Sequence, residues 1–255
     1  MIPCLYSAQL VLMARQFLHF GNYPNFFKDI DESQIEFFID NRLIGFFQKR
    51  KFTRINKWML LLKKRNIVDI KILLPRPEEY KGEYAFVNMQ NESIFCESDD
   101  ALYIWSQHWG SSDGMSVLQY AEQKFSEPAI LKSTFKVDEF RQILFDIDQL
   151  GKEIGLAGWS DRFMNAVSNL DGNRVGYCKF DKDIEFDFQG LLNEKATNVL
   201  HAAAWANVFG GMGSWNDSGP CAAAEHDREN EYNALTTQLY HQMNSAIEYA
   251  INENV

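Results

Sequence analysis

Between Val137 and Ile154 the apolar residues Val137, Phe140, Leu144, Ile147 and Ile154 recur at steps of three, four, three and seven. That spacing follows the helical turn and predicts an amphipathic helix over 136–154, ended by Gly155 and Gly158. An apolar stripe of this length must be covered by a second layer of structure. The chain can supply that layer, because 46% of its 255 residues are hydrophobic.

Comparable spacing predicts helices over 6–20, 33–47, 53–62, 98–109, 114–125, 160–170, 197–209 and 222–252. In the second, Ser33 is the N-cap and Ile35, Phe38, Ile39, Leu43 and Phe46–Phe47 form the stripe. In the pair over 98–125, Leu102, Trp105 and Trp109 share one face, as do Val117, Leu118, Ala121 and Phe125. The period changes at Val68. Val68, Ile70, Ile72 and Leu74 alternate with their neighbours up to Pro75, which predicts a strand. Further strands are expected at 83–89, 93–96 and 174–188. The class expected is α+β, helix-dominant, with a small antiparallel sheet. The chain reads as one domain over 1–255. The alternative division, near Pro128, separates a mixed part (1–128) from a helix-rich part holding an acidic strand (129–255).

Charge is unevenly placed. Residues 42–65 hold nine bases and no acid, whereas the chain as a whole carries −10. The basic block includes Lys49, Arg50, Lys51, Arg54, Lys57, Lys63, Lys64 and Arg65, with Phe46, Phe47, Phe52 and Trp58 between them. Basic residues with stacking aromatics are a nucleic-acid signature. Here the aromatics fit core stripes and the remaining chain is strongly acidic, so no nucleic-acid partner is expected. Cys4, Cys96, Cys178 and Cys221 form no CxxC or zinc pattern and read as reduced thiols. No apolar run reaches membrane-spanning length. Neither a metal nor a cofactor is expected, no membrane association is expected, and the expected location is cytoplasmic.

The stretch Phe209–Asp217, FGGMGSWND, has neither the lysine of a P-loop nor the third glycine of a dinucleotide fingerprint. It follows a predicted helix, whose C-terminal end repels phosphate. The expected role is a turn. Gly210 or Gly211 takes the left-handed cap position, Trp215 packs back, and Asn216, Asp217 or Ser218 bonds neighbouring amides. The alternative role makes Trp215, Asn216 and Asp217 part of a binding surface. GGMGSWND resembles a motif of small bacterial helical proteins, some of which are similar to immunity proteins of contact-dependent competition systems. The resemblance is confined to this stretch. It implies a protein that binds and neutralises a partner toxin.

In FDKDIEFDF, Phe180, Ile184, Phe186 and Phe188 alternate with Asp181, Asp183, Glu185 and Asp187. A strand here would align four carboxylates on one face at intervals of about 6.6 Å. Such a row serves either as a solvated edge or as an electronegative ridge for a basic partner. No HExxH or GxSxG occurs, and no catalytic residue is assigned. The function expected is a non-catalytic inhibitor of a basic toxin domain, with Asp181, Asp183, Glu185 and Asp187 steering and Trp215 as an apolar anchor. The alternatives are a hydrolase using His226 with nearby acids such as Glu229, or a self-assembling scaffold or regulatory protein.

Overall fold

The computed structural model describes residues 3–21, 35–43, 46–75, 92–112, 114–125, 133–173, 175, 190–210 and 212–253. The chain runs α1 (Pro3–Phe20), β1 (Ile35–Leu43), β2 (Phe46–Phe52), α2 (Ile55–Lys64), β3 (Asp69–Leu73), β4 (Ser93–Glu97), β5 (Leu102–Ser112) and β6 (Met115–Phe125). The helices α3 (Val137–Glu153), α4 (Ser160–Leu170), α5 (Glu194–Ala206), α6 (Trp215–Glu225) and α7 (Glu229–Asn252) follow. The fold is α+β with helix dominant. Its sheet is larger than expected and mixed: among the described residues it has six strands in the order β2-β1-β6-β5-β4-β3, with β1 and β6 parallel and the other neighbours antiparallel.

Three predicted helices are strands. Residues 33–47 supply β1 and the start of β2, and within β1 the buried apolar residues are Ile35, Phe37 and Ile39. Phe37 lies opposite Tyr120 and stacks on both Tyr120 and Trp58. Residues 98–109 and 114–125 form the β5–β6 hairpin around Gly114, whose φ is +80°. Leu102, Trp105 and Trp109 fit helical steps, but the short aromatic and β-branched runs of this region gain more by pairing across strands. Each aromatic contact in the resulting Phe37–Trp58–Trp105–Tyr120 cluster contributes about 0.5–1.5 kcal/mol beyond area burial. The predicted helices at α2, α3, α4 and α5 and the strands β3 and β4 are present. The expected last helix is two, parted at His226–Arg228. The predicted strands at 83–89 and 174–188 lie outside the described residues, apart from Val175.

Helix α1 is buried along its whole course from Cys4 to Arg15, which explains why its sequence is apolar on every side. Its core residues join those of the sheet and of α3 to α7 in one hydrophobic cluster. Among the described residues, no helix is long and apolar enough to cross a membrane.

The edge strand β3 is closed by side chains instead of by another strand. Helix α7 presents Asn244, Glu248 and Asn252, four residues apart and therefore on one stripe. Asn252 accepts from Ile72 N at 2.9 Å and donates to Ile72 O at 2.8 Å. Glu248 accepts from Leu74 N at 2.7 Å, and Asn244 donates to Pro75 O at 3.0 Å. Arg15 of α1 donates to Ile70 O and, at 2.5 Å, to Ile251 O. A row of polar side chains thus satisfies the backbone groups that an edge strand leaves free.

Candidate functional site

The glycine-rich loop joins α5 to α6, and its hydrogen bonds are internal. Helix α5 ends at Ala206, and the chain continues in extended form through Asn207. Among the described residues of the loop the left-handed one is Gly213, with φ +80°, and Gly210 is not, so the expected cap at Gly210 is corrected; Gly211 lies outside the described residues. Asn216 Oδ1 accepts from Gly210 N at 2.8 Å, and Asp217 Oδ2 accepts from Gly213 N at 2.6 Å. Asn216 Nδ2 donates to Gly210 O at 2.9 Å, where Ser214 Oγ also donates. The amides a phosphate would need at 210 and 213 are therefore held by the loop's own side chains. They organise the start of α6.

Trp215 is fully buried. Its ring stacks on Tyr232 and meets Trp159 and Phe163 edge-on, and its Nε1–H donates to Thr236 Oγ1 at 3.0 Å. It has no surface to offer a partner, so the expected anchoring role is corrected. A packed indole needs its neighbours around it. Asn216 is also buried, whereas Asp217 is exposed. The outward residue of this loop is Met212, 98% exposed.

The four acids Asp181, Asp183, Glu185 and Asp187 lie outside the described residues. The described helices carry an acidic surface of their own. Asp138, Glu139, Glu153, Asp161, Asp171, Glu194, Asp217, Glu225, Asp227, Glu229, Glu231 and Glu253 are exposed, against Lys136, Lys152 and Lys195. The densest part is the turn between α6 and α7. There Arg228 bridges Glu153 of α3 to Glu231, while Glu225, Asp227 and Glu229 face solvent. Asp227 has φ +56°, a conformation that acidic and amide side chains tolerate in tight turns. His226 is exposed, and its Nδ1–H donates to Ala222 O at 2.8 Å as a cap on α6. That position on a solvated turn gives it no enclosed acid–base partner.

The basic block behaves differently. Lys51 pairs with Glu36, and Arg65 makes a two-point contact with Glu122 while lying over the Tyr103 ring. Arg54, Lys57, Lys63 and Lys64 remain on the exposed side of α2, opposite its buried residues Ile55, Trp58, Met59 and Leu62.

One polar cluster was not legible in the sequence. Ser7 Oγ of α1 donates to Glu92 Oε2 at 2.5 Å and lies 2.8 Å from Tyr120 Oη of β6. Glu92 is fully buried, and burial pushes its carboxyl up to about 8, against a small opposing effect of the Ser7 bond. Burial and the nearby Glu92 also push the Tyr120 phenol well up. On α1, Cys4 accepts a bond from Asn207 Nδ2 at 3.6 Å. A glutamate between Asn91 and Ser93 in sequence gives no signal of burial; the hydroxyl that bonds it, on Ser7, is 85 positions away.

A pocket of about 270 Å³ opens at the other end of α1, lined by Arg15, Leu18, His19, Ile67, Val68, Asp69 and Ile70. Arg15 is held there by carbonyls and by Asp69, and burial lowers its guanidinium to about 10, with Asp69 opposing.

Comparison with protein-family models, with curated proteins and with solved structures finds no match.

Proposed function

We propose that this chain is a non-catalytic binding protein of the immunity type, which captures a basic protein domain on its acidic helical surface and occludes that domain's active site. The observation that carries the reading is the excess of exposed carboxylates on α3 to α7, concentrated at the α6–α7 turn. Asp227 and Glu229 have no cationic partner among the described residues, so their field is available for steering. Asp181, Asp183, Glu185 and Asp187 extend the same acidity in the sequence. Met212 takes over the apolar contact first expected of Trp215, because it is the outward side chain of the same loop. Short-range apolar burial supplies affinity where charge mainly supplies rate.

The test is recovery of a basic protein from host lysate at low salt, followed by stopped-flow association with the purified partner. The double variant D227K/E229K is expected to slow association by roughly tenfold or more and to flatten its salt dependence. An unchanged rate and salt slope would remove the acidic turn from the interface.

A further inference from the structure

Glu92, Gln107 and Tyr120 stand side by side across the sheet. Tyr120 is the register partner of Gln107, and the β4–β5 register places Glu92 next to Gln107 on its other side. The backbone confirms that second placement, since Gln107 N donates to Glu92 O at 2.7 Å. Directly opposed residues share a face and have Cβ atoms about 4.5–5.5 Å apart. All three are buried, and Ser7 reaches down from α1 onto the outer two. Both side-chain polar atoms of Gln107, Oε1 and Nε2, are buried without a hydrogen-bond partner among the described residues. An orphaned amide of this kind is costly and calls for an explanation.

We propose that Glu92 and Gln107 form a proton-operated latch between α1 and the sheet, in which the Gln107 amide turns over as the Glu92 carboxyl gains or loses its proton. A neutral carboxyl has one O–H to donate, and the adjacent Gln107 Oε1 is an acceptor that lacks a donor. An ionised carboxylate only accepts, and Gln107 Nε2 is a donor that lacks an acceptor. One amide can therefore serve both states by rotating about its last torsion. The Ser7 bond is common to both. Ser7 donates to Glu92, so the Tyr120 hydroxyl must donate to Ser7, giving a directed chain from Tyr120 through Ser7 to Glu92. The groups that face Glu92 are Ser7 on α1, Gln107 on β5 and Tyr120 on β6, with Cys4 further along α1 toward Tyr120 and Asn207 bonded to Cys4. None of these is cationic, and among the described residues no charged group contributes to the carboxyl's shift. Ionisation thus places an uncompensated charge under α1 and loosens its seat on the sheet.

The sign follows from proton binding. The unfolded chain releases the Glu92 proton near 4.5, and the folded chain keeps it to about 8. Across that window the native state holds one more proton, so stability falls as pH rises and levels off above about 8. The experiment compares wild type with E92Q by urea denaturation from pH 5 to 9, with amide exchange of residues 4–15 read on both. Wild type is expected to lose stability relative to E92Q as pH rises. Its α1 amides are expected to exchange up to about tenfold faster at pH 9 than at pH 7 after correction for intrinsic rate, and those of E92Q to keep their protection. Parallel pH profiles for the two proteins would overturn the latch. If E92Q does not fold, infrared spectra of wild type and S7A replace it. A protonated carboxyl band at pH 7 that disappears on titration, and disappears at higher pH in S7A because the bond favouring the anion is gone, supports the latch. Absence of that band at pH 7 overturns it.

Discussion

The two edges of the sheet are protected in opposite ways. At β3 the outward backbone groups are taken up by Asn244, Glu248 and Asn252 of α7 and by Arg15 of α1. At β2 no strand pairs on the outer side among the described residues, and the strand carries Lys49, Arg50 and Lys51 in succession. The first edge is closed by hydrogen bonds that also fasten the helical layer to the sheet. The second carries three successive bases in sequence, a composition that discourages another strand from pairing there. The difference explains why the basic block need not signal nucleic-acid binding. Lys51 stands beside a buried acid of the neighbouring strand, Glu36. It also concentrates structural cost at β3, where loss of one side chain orphans backbone and removes a joint between layers.

The closed edge is therefore the place to break. The double variant E248L/N252L leaves Ile72 N, Ile72 O and Leu74 N without their partners. Each orphaned group costs about 1–3 kcal/mol, and neighbouring losses do not add fully. The expected destabilisation is about 3–5 kcal/mol in urea denaturation. A loss below about 1 kcal/mol would show that water replaces the ladder without penalty.

Arg15→Met removes the same kind of contact from α1 at the other end of β3. It frees Ile70 O and Ile251 O and leaves Asp69 with Lys71 alone. The expected loss is about 2–3 kcal/mol, smaller because Met fills much of the volume and Arg15 gives up a desolvated charge. A larger loss from R15M than from the double variant would make α1, rather than α7, the main clamp on that edge.

Glu36 sharpens the comparison from the charged side. Burial pushes its carboxyl up, but bonds from Lys51, Ser112 and Gln119 outweigh burial and hold it below its ordinary 4.5. A depressed folded value means that its contribution is present above 4.5 and is lost as pH falls through the folded value. Lys51→Met should remove part of that acid-side loss, seen as a flatter stability profile below pH 5. An unchanged acid limb would assign the shift to Ser112 and Gln119. Glu92 has the opposite sign on the same sheet, because burial outweighs its bond from Ser7.

How much of this could be read from the residues depended on where each partner lies. The stripes of α3 and α4 were legible because their buried partners sit three and four residues apart and their other sides meet water. The β5–β6 hairpin was misread because Leu102, Trp105 and Trp109 satisfy helical steps, while the contacts that decide the matter are cross-strand ones such as Gln107 with Tyr120. Trp215 was expected both to pack inward and to anchor a partner; Tyr232 and Thr236, on the next helix, settle it inward. Asn244, Glu248 and Asn252 stand at visible i, i+4 spacing, yet their partners are backbone atoms about 170–180 residues away, which no side-chain pattern encodes. A separation of 85 residues likewise hid Ser7 and Glu92 from each other.

The smallest effect on stability is expected at the open edge. Arg50→Val raises strand propensity at β2 and removes one charge from a run of three. It breaks none of the hydrogen bonds that close β3, so urea stability should change by no more than about 0.5 kcal/mol. Its effect should appear in association instead. With one fewer charge, the outer backbone of β2 becomes a better template for a second strand. Light scattering at rising protein concentration should show more self-association than wild type, most clearly at high salt, where the remaining lysines are screened. If R50V stays as dispersed as wild type under those conditions, charge is not what guards β2. The two edges would then differ in how they join the helices and not in how they resist a partner strand.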